Sequence, residues 1–316
     1  MELPFETYDV FTDTPYRGNP LAVVTIPADL PAPPTQAQKQ AIAREFNLSE
    51  TIFIHEPAAS SSSTSRDVDI FVTTCEIPFA GHPTIGAAVS LINGGGGGGG
   101  GGVDTIVTKA GPIPVSSAGA DAARAAIPHN VHLHAKKLRD LPSSSPHLQG
   151  LSAVAAVRAA EMDAPIYSIV RGMSFILIEL PSLDVLAQAT MSSFTGPVEE
   201  LLDDGWRTGL CIRFYYVRTG ARRGEDGTEV VTLRTRMIDA LCEDPATGSA
   251  SSALCCYLSA ALGEQKAPKR RYELTQGVEM GRQSNIVVEI TTKDNNIDAV
   301  HLSGKAVKVM KGTLVV

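Results

Sequence analysis

The sequence predicts an α+β protein of two similar halves, each a strand-rich barrel or half-barrel wrapped around one central helix. Three observations carry this expectation. Strand-like segments dominate and helices are few, without the strict strand–helix alternation of a doubly wound parallel sheet. A short motif recurs: His82-Pro-Thr-Ile-Gly86-Ala-Ala88 matches Asp244-Pro-Ala-Thr-Gly248-Ser-Ala250, the two copies lying about half a chain apart in 316 residues. Each copy leads into a stretch that is apolar at helical spacing, with Ile85, Ala88, Val89 and Ile92 in the first and Ala253, Leu254, Tyr257 and Leu258 in the second, and neither stretch carries a Lys, Arg, Asp or Glu. A helix that is apolar or small all round is buried, and strands on both sides imply a sheet curled around it. The expected division is an N-terminal barrel over 1–125, completed by the C-terminal strand 305–316, and a second barrel over 126–304.

In chain order, Phe5–Phe11 and Leu21–Ile26 read as strands joined by the turn-rich stretch from Asp13 to Pro20. Gln36–Phe46 reads as a helix that stops at Asn47. Thr51–His55 is a short β-branched strand, and Asp67–Thr74 alternates with Val68, Ile70 and Val72 on one face. Ile166–Val170 and Met173–Leu180 flank Arg171-Gly172 as a hairpin. Leu210–Val217, Glu229–Ile238, Asn285–Thr292 and Ala306–Val316 complete the predicted strands. Ser60–Ser63, Ser143–Ser145 and the nine glycines Gly94–Gly102 are low-complexity stretches. The glycine run lacks the strand before and helix after that a phosphate-binding loop needs, so it reads as a flexible insertion.

Composition narrows the function. The chain is 43% hydrophobic and 19% charged, enough to bury a sizeable core. Its net charge of −7 gives no basic footprint for nucleic acid. No window approaches 18 consecutive apolar residues, so no membrane partner is expected. The opening MELPFETYDVF has neither a basic n-region nor an apolar h-region. Cys75, Cys211, Cys242, Cys255 and Cys256 have no paired spacing and read as reduced thiols, which together point to a cytoplasmic protein. His129, His132 and His134 are a local cluster without a nearby ligand pair, expected in a solvated loop or strand; no metal site and no cofactor are predicted.

The two helix starts are where chemistry is expected. Pro at the first helical position is favoured, and His82 and Asp244 would stand at the N-caps. Free backbone N–H groups at a helix N-terminus attract anions, so two such ends, at Gly81-His82 and at Thr247-Gly248-Ser249, would grip a small carboxylate in a cleft between the halves. Glu50 is a lone acid at the junction of a helix end and an apolar strand, a setting that raises a carboxyl pKa; the alternative is a structural pairing with Arg17, Lys39 or a backbone N–H. Asn19, in the Gly-Asn-Pro turn, either reaches the same cleft or simply forms the turn.

Five segments together resemble the PhzF-like phenazine-biosynthesis family: Asp9-Val-Phe-Thr with Gly18-Asn-Pro-Leu-Ala-Val, Asn47-Leu-Ser-Glu-Thr51, Pro78-Phe-Ala-Gly-His-Pro-Thr84, Glu243-Asp-Pro-Ala-Thr-Gly-Ser-Ala250, and Gln276-Gly with Met280-Gly-Arg282. They occur in family order across nearly the whole chain. The resemblance implies the diaminopimelate-epimerase-like fold, two pseudo-symmetric domains that are each a β-barrel around a helix, with the active site between them. It also implies a cofactor-free isomerase, commonly a homodimer, in a family whose namesake shifts a proton on a dihydro-hydroxyanthranilate ring. Carried over by motif, Glu50 is the acid/base and His82 and Asp244 complete the catalytic set, while Asn19, Gly81, Gly248 and Ser249 bind the substrate, a small carboxylate-bearing amino or hydroxy acid, cyclic or acyclic. Ser60–Ser63, Gly94–Gly102 and the approach Met237–Cys242 depart from the family pattern. The other readings are a lyase or hydratase on the same scaffold, and a non-catalytic binding protein that keeps the fold. A two-cysteine racemase is disfavoured, because no cysteine stands at either helix start.

Overall fold

The computed structural model describes residues 1–58, 60–93, 102–240, 242–260, 268–294 and 296–316. The run Gly94–Gly102, expected to be a flexible insertion, lies outside the described residues except for Gly102. Elements in chain order are β1 (Glu2–Val10), β2 (Asn19–Ile26), α1 (Gln36–Phe46), β3 (Glu50–His55), β4 (Ser65–Phe71), β5 (Glu76–Ile77), α2 (Gly81–Asn93), β6 (Thr105–Thr108), β7 (Gly111–Ser117) and β8 (Ala122–Ala126). Next come β9 (His132–Leu133), α3 (Ala155–Asp163), β10 (Ile166–Val170), β11 (Met173–Glu179), α4 (Leu183–Ala187), α5 (Val198–Leu201), β12 (Leu210–Arg223) and β13 (Glu229–Ile238). The last are β14 (Glu243–Asp244), α6 (Gly248–Ala260), β15 (Lys269–Gln276), β16 (Ser284–Lys293) and β17 (Asn296–Val315). The chain divides into two compact units, Met1–Ile127 with His301–Val316, and Pro128–Val300.

The first unit is a closed barrel. β1 pairs antiparallel with β2, β2 parallel with β3, β3 antiparallel with β4 and β4 parallel with β6. β6, β7 and β8 continue antiparallel, β8 pairs with β17, and β17 returns to β1. Closure gives each of these eight strands a partner on both sides. α2 fills the interior: every residue from Gly81 to Val89 is buried. Its Gly86 lies so close to β1 and β2 that a Cβ there would meet Leu21 and sit 2.9 Å from Val10 Cγ2. α1 covers the outside, where Ile42 and Ala43 pack with Leu3, Val24, Phe53 and Phe71. With both faces covered, β2 and β3 are buried almost throughout, which is why they read as continuous apolar runs. α1 keeps its predicted limits because Thr35 accepts from Gln38 N–H in a capping box and Asn47 closes the helix in the left-handed conformation at φ 51°.

The second unit repeats that order. β10 pairs antiparallel with β11, β11 parallel with β12, β12 antiparallel with β13, β13 parallel with β15 and β15 antiparallel with β16. β9 adds to β10. α6 touches β10 and β11 at one end of this sheet and β15 and β16 at the other, so the sheet curls around it. An outer layer of Leu138, Leu148, Val157, Leu186 and Leu201 covers Ile166, Ile176, Ile178 and Tyr215.

The repeat identified the two central helices but matched the wrong residues. β5 pairs Ile77 with Ile70, and β14 pairs Asp244 with Met237. In each unit the central helix begins four residues after that pair, at Gly81 and at Gly248. The structural equivalents are therefore Glu76-Ile-Pro-Phe-Ala-Gly81 and Glu243-Asp-Pro-Ala-Thr-Gly248, a Glu-x-Pro-x-x-Gly pattern five residues out of step with the motif match. His82 corresponds to Ser249, and Asp244 to Ile77. The expected N-caps fail for the same reason. His82 lies inside the first turn of α2, and Asp244 lies in β14, ahead of α6.

The histidine cluster also differs from expectation. His132 lies in β9, but His134 is buried rather than solvated. Its Nδ1 accepts the Asp203 backbone N–H at 3.1 Å, so the ring proton is on Nε2, which donates to Ser168 Oγ at 2.8 Å. Burial and the neighbouring His132 push its pKa down to about 4. His132 Nε2 is 2.8 Å from Asp203 Oδ2 and its ring stacks on Trp206. His132, His134 and Asp203 form the one group among the described residues with metal-ligand atoms clustered within 4.8 Å. Both His134 nitrogens are already committed, so the cluster clasps β9 to the segment around Asp203.

Candidate active site

In the first unit, three local features converge on Glu50. The left-handed Asn47 ends α1 and turns the chain, and Leu48-Ser49 leads into Glu50 as the first residue of β3. Parallel pairing sets Glu50 opposite Leu21, next to the start of β2 at Asn19. The buried α2 brings His82 to the same place: its Nδ1 is 3.3 Å from Glu50 Oε2. Asn19 is buried and accepts a hydrogen bond from Ser49 Oγ at 3.3 Å. Asn19 is therefore more than a turn residue, and Ser49, which the sequence did not single out, touches the site. Only its position immediately before Glu50 could have marked it.

The electrostatics arise from burial. Glu50 is 18% exposed and His82 3%. Loss of water around the carboxyl pushes its pKa up to about 7, with the Ser49 hydroxyl opposing the rise. A carboxyl poised near neutrality beside an imidazole can take and return a proton at little cost. The structural alternatives for Glu50 are reduced, since Lys39 pairs with Asp69, which also meets His55. Gly81 is the first residue of α2, where backbone N–H groups have no intrahelical acceptor.

In the second unit, Asp244, Gly248 and Ser249 come within a few residues at the start of α6. Asp244 Oδ2 accepts the Thr247 hydroxyl at 2.6 Å. Thr247 O accepts the Ser251 N–H at 2.9 Å, which makes Thr247 the residue that opens the helix. Gly248 is its first residue, and Ser249 is 8% exposed. Sequence reasoning placed Thr247 at this helix end and met Gln276 only within a family motif, and gave neither side chain a role. Gln276, at the end of β15, is wholly buried and bonds both Asp244 and Thr247.

Known proteins share this architecture. The family profile described as phenazine biosynthesis-like protein, PhzC-PhzF, matches residues 8–312. The chain belongs to the PhzC-PhzF family. An uncharacterised isomerase of Mesorhizobium japonicum is 30% identical over 97% of both chains. The trans-2,3-dihydro-3-hydroxyanthranilate isomerase of Pseudomonas fluorescens is 29% identical, again over 97% of each. The crystal structure of a PhzF-family protein from Bacillus anthracis superposes with a TM-score of 0.73 at 20% identity, covering all of both chains, and shares the fold. The family's diaminopimelate-epimerase-like architecture and its isomerase class are thus those of this protein. Among the described residues, no helix is long and apolar enough to cross a membrane.

Proposed function

We propose that this isomerase moves a proton between carbon atoms of a small carboxylate-bearing amino or hydroxy acid, without a cofactor, and that Glu50 is its acid/base. The observation that carries the reading is the Glu50–His82 pair: a carboxyl raised to about 7 by burial, 3.3 Å from an imidazole itself buried. An ordinary carboxylate is too weak a base to abstract a carbon-bound proton, and raising its pKa toward the working pH strengthens it while keeping it ionised in part. His82 steadies the charge on Glu50 as the proton comes and goes. Asp244, Gly248 and Ser249 have the role of holding the polar groups of the substrate: a carboxylate acceptor for an amine or hydroxyl, and helix N–H groups with a serine hydroxyl for a carboxylate. The substrate named for the Pseudomonas fluorescens relative, trans-2,3-dihydro-3-hydroxyanthranilate, carries all of these groups and is the first compound to test. A homodimeric assembly, which rests on the family resemblance, and a cytoplasmic location, which rests on five cysteines without paired spacing, belong to the same proposal.

The test is turnover in deuterium oxide. An isomer of the substrate that carries deuterium at the newly protonated carbon is expected. Loss or gain of water in the product would replace this reading with a lyase or hydratase. Glu50→Gln should remove turnover by about 10³-fold, within the range for loss of a general base, while the protein stays folded. Near-parental turnover of that variant would end the assignment of Glu50.

A further inference from the structure

Gln276 stands outside the reaction as proposed, yet the geometry gives it a definite task. It is the last residue of β15 and has no exposed surface. Its Nε2 donates to the Asp244 carbonyl at 2.8 Å and to Thr247 Oγ1 at 3.0 Å. Its Oε1 accepts the Thr247 backbone N–H at 3.2 Å and lies 3.5 Å from Thr235 Oγ1. The orientation of the amide is forced, because a carbonyl can only accept and a backbone N–H can only donate. Both N–H groups are used, and three of the four contacts end on Asp244 and Thr247, the last residue of β14 and the residue before α6.

A hydroxyl has one proton. Thr247 Oγ1 accepts from Gln276, so its own proton is directed to Asp244 Oδ2, 2.6 Å away. The backbone supports the same contact. Gly277, at φ +72°, lies against the loop so closely that a Cβ would sit 2.7 Å from the Pro245 carbonyl oxygen. In the first unit the strand end also meets this segment, by a backbone bond: Ala110, just past β6, donates its N–H to the carbonyl of Pro78, the equivalent of Pro245. There Lys109, also just past β6, pairs with Glu76, and the place of Asp244 is taken by Ile77.

We propose that Gln276 is a positioning residue for Asp244: its buried amide fixes the Asp244–Thr247 loop and obliges the Thr247 hydroxyl to donate to the Asp244 carboxylate, which sets the orientation in which that carboxylate meets the substrate. This rests on the reading of Asp244 as a substrate-binding group. Misplacement of a bound substrate by about 1 Å relative to the reacting group can cost about 10²-fold in rate, so the effect belongs in kcat.

The experiment has two arms on the full-length protein. Amide hydrogen exchange needs no substrate. In Gln276→Leu the Thr247 N–H should exchange at least about tenfold faster, having lost its side-chain acceptor, while the amides of α6 beyond its first turn stay protected. Unchanged protection at Thr247 would overturn the tether. The kinetic arm measures conversion of trans-2,3-dihydro-3-hydroxyanthranilate. Gln276→Leu should lower kcat by about 10- to 100-fold with KM within about threefold. Thr247→Val, nearly isosteric, should do the same, and Thr247→Ser should restore the parental rate. If Gln276→Leu fails to fold, the threonine pair still decides. In an Asp244→Asn background, adding Gln276→Leu should cost less than about threefold, because the group it positions is gone. An undiminished loss in that background would make Gln276 a general structural prop and overturn the proposal. Parental turnover by Asp244→Asn alone would instead remove the reading on which the proposal stands, and the exchange result would still report whether Gln276 holds the loop.

Discussion

Glu50→Gln should stabilise the protein while lowering its turnover about 10³-fold, and the size of the gain should depend on pH in a defined direction. In the unfolded chain the Glu50 carboxyl titrates near 4.5; in the fold, burial pushes it up to about 7. Between those values the folded state holds a proton that the unfolded state has released. Stability from this group is fully present below about 4.5, falls as pH rises through 7, and is level above that. At about 1.4 kcal/mol per pH unit the gap sets a ceiling of about 3 kcal/mol on the penalty carried at pH 8. Glutamine has the same shape and no charge to desolvate. Its amide forfeits part of the contact to His82, worth about 1 kcal/mol, so the net gain at pH 8 is about 2 kcal/mol. At pH 4 the parent is already protonated and the gain disappears or reverses slightly. The single tryptophan, Trp206, lies in the other unit, so the barrel must be followed by its own probe. Hydrogen exchange at Ile52 and Phe53 of β3, corrected for intrinsic rates, reports the opening free energy of parent and variant at pH 5 and 8. A variant no more stable than the parent at pH 8, or a difference that does not grow with pH, would refute the claim that burial holds Glu50 near neutrality.

Three further outcomes are expected. As the base, Glu50 must be ionised, so kcat/KM should rise with pH and level off with a midpoint near 7, and the residual rate of Glu50→Gln should lack that limb; a flat parental profile from pH 5 to 8 would contradict it. Asp69 is held at about 2 by His55 and Lys39 against the opposing effect of burial, so it contributes about 2 kcal/mol above pH 4 that is lost as pH falls through 2; Asp69→Asn should destabilise the first unit by about that amount at pH 7 and by under about 0.5 kcal/mol at pH 2, read by the same exchange measurement. Gly277→Ala forces a Cβ to 2.6 Å from Arg282 O and 2.7 Å from Pro245 O at a φ of +72°, so it should cost at least about 2 kcal/mol by chemical denaturation, and a neutral result would show that the loop before α6 can yield.

Much of the architecture was legible in the chain. The two central helices announced themselves by lacking any charge over 13 residues each, since only an enclosed helix can be uniformly apolar or small. α1 was readable to the residue, because Thr35, Gln38 and Asn47 are local signals of a helix's two ends. The strands β10 and β13 were found with their limits intact for the same reason of local pattern. The acid/base candidate and its partners Asn19 and His82 could be named from short motifs.

Other features depend on partners distant in sequence. β6, β7, β8 and β15 were not predicted. Pro112 and Pro114 argue against β7, and β8 is alanine-rich, so neither shows a strand pattern; they are strands because the barrel closes on them through β17, whose partners lie nearly two hundred residues earlier. The register of the internal repeat was misjudged because the His82 and Asp244 motifs share a composition rather than a position. Pairing of β5 with β4 and of β14 with β13 sets the true correspondence five residues away. His134 looked like a surface histidine until Asp203 and Ser168 enclosed it. Gln276 carries no local signature of a role. Local propensity and polarity are properties of neighbouring residues and can be read along the chain. The proximity of Glu50 to His82, and the hold of Gln276 on Asp244, arise only when strands remote in sequence are paired around a helix, and it is this packing that excludes water and raises the Glu50 carboxyl to a useful pKa.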